Sequence, residues 1–159
     1  VADDDVTADP SPAGRYDEAL GYLVKHVHLA HQRASDAALA PLGLTSRDLG
    51  VVRVIATGAA TSQQEIGALL GIDRTSMVAM LDDLEDRGLV RRQPSPHDRR
   101  RNVLALTPEG ERTYQDAERE IAVVDAKFLE PLSSNDSRRF ARALRTLLDA
   151  ADGADRGPG

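Results

Sequence analysis

The 159-residue chain contains no cysteine. That excludes a disulfide scaffold, a thiolate zinc or iron–sulfur centre, and any sensor that works by oxidising a thiol. Tryptophan is absent too, and three tyrosines and two phenylalanines are all the aromatics, which argues against a stacking-rich pocket. Lys25 and Lys127 are the only lysines among 20 basic residues, so arginine carries nearly all the positive charge. No run approaches the roughly 18 consecutive apolar residues of a membrane span, and the N-terminus lacks the basic-then-apolar order of a signal peptide. A cytoplasmic protein with no membrane partner is expected. The chain also lacks a P-loop, a Gly-x-Gly-x-x-Gly turn, a His-Glu-x-x-His pair and a Gly-x-Ser-x-Gly elbow, so neither an enzyme nor a cofactor is expected.

What is present suits one domain with attached helices: 41% apolar residues is enough for a core at this length. The net charge of -6 rules out a basic nucleic-acid coat and confines any nucleic-acid contact to a local patch. Residues 1–14 hold four aspartates and two prolines without a basic or aromatic side chain and are expected to be a disordered acidic tail. Residues 152–159, rich in glycine, are expected to be a second disordered tail.

Between the tails the fold expected is mainly α with a small β-hairpin. Leu20, Leu23, Val24, Val27 and Ala30 recur at helical intervals from Tyr16 to about Leu39, and Pro41 and Gly43 end that helix within the segment 15–43. A second helix starts after Thr45 or Ser46 and reaches Gly58; a third is announced by the capping-box spelling Ser62-x-x-Glu65 and stopped by Gly71. Asp73 caps a fourth, with Val78, Leu81 and Leu84 on its buried side and Gly88 just past its end. Leu89–Gln93 and Asn102–Leu106 then bracket a long-tipped hairpin, which closes a segment 44–107. In 108–151 a fifth helix opens with Thr107-Pro108, and a sixth follows Ser133–Asp136.

Helix, helix, tight turn, helix and hairpin is the order of a winged helix-turn-helix, whose second short helix enters the DNA major groove. Charge sharpens this reading. From Arg87 to Arg101 there are six arginines and one acid, Asp98, about +5, so the remaining chain carries about -11. A wing tracking phosphates needs this concentration of positive charge. At the N-terminus of the fourth helix, free backbone N–H groups and the helix dipole favour a phosphate, with Arg74, Thr75 and Ser76 as side-chain donors.

Several motifs in this order are similar to those of the MarR family of bacterial transcriptional regulators. They are Leu44-Thr45, Gln64-Glu65-Ile66-Gly67, Gly71-Ile72-Asp73-Arg74-Thr75-Ser76-Met77-Val78, Leu84-Glu85-Asp86-Arg87-Gly88-Leu89-Val90-Arg91-Arg92, Asp98-Arg99-Arg100 and Leu106-Thr107-Pro108-Glu109-Gly110. The resemblance spans Tyr16 to Leu148. It implies a homodimer in which the terminal helices, 15–43 and 108–151, interlock, with Tyr16, Leu20, Ile121, Val124, Phe128, Phe140, Leu144 and Leu147 at the interface. It further implies that Arg100 enters a minor groove, oriented by Asp98, while Arg99 and Arg101 contact phosphates. The DNA-contacting set is then Gln64, Arg74, Thr75, Ser76, Val78, Ala79, Arg99, Arg100 and Arg101. Val78 and Ala79 offer methyl contacts where hydrogen bonding is usual, and Asp83 offers repulsion.

Repression of a pseudo-palindromic operator with half-sites about one helical turn apart follows from two-fold symmetry and the resemblance. The resemblance also implies release by a small, often phenolic or anionic, effector where the dimer helices meet the DNA lobe; His28, Arg47 and Arg53 are the polar groups expected nearby. A metal is not expected: His26 and His28 lie about 200° apart on a helix, so His26, His28 and His31 cannot converge from one helix. The competing reading is a helical dimeric module that docks its arginine hairpin onto an acidic protein, with Asp83 excluding DNA.

Overall fold

The computed structural model describes residues 19–94 and 102–155. The acidic tail 1–14, Tyr16, and the wing-tip residues Asp98, Arg99, Arg100 and Arg101 lie outside the described residues. The chain runs α1 (Leu20–Leu39), a 3-10 turn (Ala40–Leu42), α2 (Ser46–Thr57), α3 (Gln63–Leu70), α4 (Arg74–Asp86), β1 (Val90–Pro94), β2 (Asn102–Leu106), α5 (Pro108–Leu129) and α6 (Ser134–Asp155). No helix among the described residues is long and apolar enough to cross a membrane.

Local chemistry sets most boundaries. At α2 the Thr45 hydroxyl accepts from the Asp48 N–H at 3.2 Å while Asp48 accepts from the Thr45 N–H at 2.9 Å, and Ser62 with Glu65 builds the same reciprocal box at α3. Each satisfies helix-end donors that would otherwise lack a partner. Thr107 caps α5, with Pro108 in the first turn, where its missing N–H costs nothing. Gly110 has no room for a side chain: an added Cβ would lie 1.9 Å from the Leu89 carbonyl oxygen, so α5 can approach the hairpin root only through glycine.

Two boundaries differ from expectation. The first strand is Val90–Pro94 rather than Leu89–Gln93, because the Leu89 N–H closes the end of α4 on the Leu84 carbonyl at 2.9 Å and its own carbonyl accepts from Thr107. The register pairs Val90 with Leu106 and Arg92 with Leu104. α6 continues to Asp155, so residues 152–155, expected to be tail, are helical; alanines 150, 151 and 154 carry the helix through Gly153.

One core holds the lobe together. Leu39, Val51, Ile66, Leu81 and Leu84 are essentially inaccessible to solvent, each contributing roughly 1.5–3 kcal/mol of burial. Leu39 from α1 and Ala117 from α5 belong to that core, so the segments flanking 44–107 also help to build the lobe. The Leu104 N–H, pointing away from β1, donates to the Thr61 carbonyl at 3.0 Å and ties the hairpin to the α2–α3 connection.

Candidate nucleic-acid interface

α3 and α4 are joined by Gly71-Ile72-Asp73. Gly71 sits at φ 63°, where an L side chain is strained, and the Ile72 N–H returns to the Gly67 carbonyl at 2.9 Å. A Cβ at Gly67 would meet the Ile72 carbonyl oxygen at 3.0 Å, so glycine there permits the close helix crossing. With Met77, Leu81 and Leu84 buried, helical periodicity turns Thr75, Ala79, Asp82 and Asp86 outward, all exposed, and Val78, expected on the buried side, is exposed as well because its neighbour Met77 takes the core position. Gln64 of α3 and Arg74 of α4, both exposed, line one open cleft of about 1070 Å³ that also reaches Val103 on the hairpin. The structure therefore brings Gln64 and Arg74 to one cleft and leaves Thr75, Val78 and Ala79 exposed on α4.

Ser76 does not present a free donor. Its hydroxyl donates to Asp73 at 2.6 Å, and its N–H donates to the same carboxylate at 3.0 Å. The hydrogen bond from the Ser76 hydroxyl, reinforced by the backbone bond, holds the Asp73 carboxyl below the usual aspartate range. The N-terminus of α4 thus carries its own anion, which takes the Ser76 N–H, one of the donors expected to await a phosphate.

The positive charge between Arg87 and Arg101 is also less available than its sum implies. Arg87 bonds Asp83 at 2.9 Å and donates to the Gly43 carbonyl, fastening α4 to the turn after α1. Arg92 bridges Asp82 at 2.7 Å and Glu85, and its backbone N–H also donates to Glu85, at 3.3 Å. Asp82 first, then the charge of Glu85, stabilises the Arg92 guanidinium and raises its already high pKa. Asp83, expected to repel DNA, spends its charge on Arg87. Of these roles the sequence offered a signal for one, the i,i+4 spacing of Asp83 and Arg87; the Arg92 bridge depends on where the hairpin folds back.

Away from this face, His28, Arg47 and Arg53 line a single cavity of about 390 Å³ between α1, α2 and α5, together with His31, Ser35 and Ile121. Arg53 is held by Glu118 at 2.8 Å, and that bond raises its pKa against the opposing effect of burial. His31 bonds Asp125 at 2.7 Å and meets the ring of Phe128 edge-on at 5.1 Å. His26 bonds the Tyr22 carbonyl at 2.8 Å and stacks on the Tyr22 ring. His26 and His31 have separate partners, and no metal-holding group of three or more His, Asp or Glu exists among the described residues.

The residues expected at a dimer interface fall into two groups. Leu20, 72% exposed, and Phe140, Leu144 and Leu147 of α6 present apolar surface to solvent. Ile121, Val124 and Phe128 are half-buried within the subunit, Ile121 against the core. Among the described residues α6 packs extensively against no other element.

The family model described as the MarR family matches residues 42–101. The HTH-type transcriptional repressor Rv2887 of Mycobacterium tuberculosis is 31% identical over 131 residues, 82% of this chain and 94% of that protein. A putative transcriptional regulatory protein for the hcr operon of Thauera aromatica is 32% identical over 105 residues, 66% of this chain but 63% of the longer relative. Among solved structures, the transcriptional repressor CouR bound to a 23-mer DNA duplex superposes with a TM-score of 0.75 at 34% identity, covering 85% of this chain and 96% of that one. Rv2887 in complex with salicylic acid gives a TM-score of 0.70 at 31% identity, covering 83% of this chain and 98% of that one. A lobe whose two short helices cross at glycine, a hairpin rooted on the second of them, and near full-length likeness to repressors place the chain in the MarR family of transcriptional regulators.

Proposed function

We propose that the protein is a homodimeric repressor that sets the N-terminal half of α4 in a DNA major groove and is released by a small anionic effector. The observation that carries this reading is the cleft lined by Gln64 and Arg74, with Thr75, Val78 and Ala79 exposed on the same helix as Arg74, in a lobe similar to a repressor solved on DNA. Arg74 and Thr75 serve phosphate and base edges, Ala79 and Val78 suit a thymine methyl, and Ser76 contributes through its remaining acceptor capacity. Arg100, with Asp98 orienting it, takes the minor groove, and Arg99 and Arg101 the flanking phosphates; these four roles rest on the family resemblance. The second copy covers the apolar stripes of α1 and α6. The protein works by binding, in the cytoplasm, without a catalytic step.

The cavity holding His28, Arg47 and Arg53 is the effector site in this reading. Arg47 is exposed and has no acidic partner among the described residues, which leaves its charge for a carboxylate. Salicylic acid, seen with Rv2887, is the first probe. A protein-docking role for the hairpin has less charge to work with, because Arg87 and Arg92 are already paired.

The test is a fluorescence-anisotropy titration against the chain's own upstream DNA and a scrambled duplex at two salt concentrations. Tight binding to the native duplex alone, weakening with salt at a slope of about -0.9 per phosphate contacted, is expected. Equal, weak binding to both duplexes overturns operator recognition at that DNA.

A further inference from the structure

The C-terminal half of α4 is acidic: Asp82, Asp83, Glu85 and Asp86 lie on the helix whose other half is proposed to read DNA. Asp82 and Asp86 continue the outward stripe begun by Thr75 and Ala79. On the reading that α4 enters the major groove, carboxylates on that stripe come close to the phosphate backbone, and like charges there oppose binding. Arg92 reaches across from β1 to two of these acids. Its fork bonds Asp82 and Glu85, and its own backbone N–H closes a third bond onto Glu85.

We propose that Arg92 is a positioning residue for DNA recognition, which masks Asp82 and Glu85 and fixes the angle between the hairpin and α4. This rests on the DNA-binding reading. The arginine sits directly across the ladder from Leu104, whose N–H is tied to Thr61, so the hairpin root is fixed at two places: to α4 through Arg92 and to the α2–α3 connection through Leu104. A wing so held cannot swing independently of the reading helix. Arg92 therefore acts through the acids and not through DNA, and its planar fork matters because an ammonium group cannot grip two carboxylates in fixed geometry.

The experiment is a double-mutant cycle read by operator affinity and by amide hydrogen exchange of the free dimer. Arg92→Gln is expected to weaken operator binding about tenfold at low salt, through two unmasked charges near phosphates. Adding Asp82→Asn and Glu85→Gln is expected to restore affinity to within about threefold of wild type, while the two acid substitutions alone change it by less than about threefold. Arg92→Lys is expected to fall between wild type and Arg92→Gln. If the acid substitutions raise affinity equally with and without Arg92, or if the triple variant stays as weak as Arg92→Gln, Arg92 touches DNA itself and the proposal is overturned. No loss in Arg92→Gln overturns it as well.

Exchange separates this proposal from the reading beneath it. Without DNA, Arg92→Gln is expected to speed exchange in 90–94 and 102–106 relative to the α4 amides, and an unchanged pattern overturns the clamp. Wild-type protein with no preference for any operator overturns the regulator reading, while the exchange arm still decides whether Arg92 joins the hairpin to α4.

Discussion

From Leu44 to Leu106 most large apolar side chains are buried, with Ile66 and Leu84 sealed from solvent, whereas along α6 Phe140, Leu144, Leu147 and Leu148 all remain exposed. The two regions have similar helical periodicity but opposite solutions to burial. The lobe closes on itself because α2, α3, α4 and the hairpin converge from several directions. α6 is a single amphipathic face against which no other element among the described residues packs extensively. Helical stability comes mostly from packing of such a face, so the lobe is complete within one copy of the chain, whereas α6 relies on the second copy in the dimer we propose.

Substitutions separate these regions sharply. Gly110→Ala is expected to cause the largest damage, about 4 kcal/mol, because the added methyl meets a backbone oxygen that cannot move without opening the hairpin root. The midpoint of chemical unfolding checks it. Leu84→Ala is next at about 3 kcal/mol, from lost burial and the cavity left behind. Leu144→Glu on α6 is expected to leave the lobe folded by near-neutral circular dichroism criteria but to weaken dimerisation about a hundredfold, read by sedimentation. Equal effects of Leu84→Ala and Leu144→Glu on lobe folding would break the comparison. Thr45→Ala, which removes one side of a capping box, is expected to cost about 1 kcal/mol.

The smallest effect concerns pH. Because the folded-state pKa of Asp73 is lowered, its cap contributes fully above the ordinary aspartate value and is lost only as pH falls through the lower folded value. The Ser76 amide signal in NMR is therefore expected to stay constant from neutral pH down to the ordinary aspartate range and to shift only below it. Asp73→Asn keeps a capping oxygen and is expected to abolish that transition.

How much of this was legible in the sequence depends on the reach of each interaction. Thr45 with Asp48, Ser62 with Glu65, and Thr107 with Pro108 act within one turn, so the helix starts they dictate were readable. Leu89 was misplaced by one residue because two partners, Leu84 and Thr107, claim its backbone, and the second is distant in sequence. Ser76 read as a donor because the sequence does not show which way its hydroxyl turns. The charge count from Arg87 to Arg101 overstated what is unpaired, since Asp82 and Glu85 meet Arg92 only after the hairpin folds back. His28, Arg47 and Arg53 share a cavity through the packing of α2 against α1 and α5, which residue types alone do not specify.

The bond from Leu104 to Thr61 bears on solubility as well as on geometry. A two-stranded ribbon has two outer edges of unpaired backbone groups, and such edges are templates on which other chains add strands and aggregate. Here the outer edge of β2 has its central donor already taken by a carbonyl of the same chain. The ribbon can therefore be long enough to carry arginines into solution without becoming a nucleus for sheet growth between molecules.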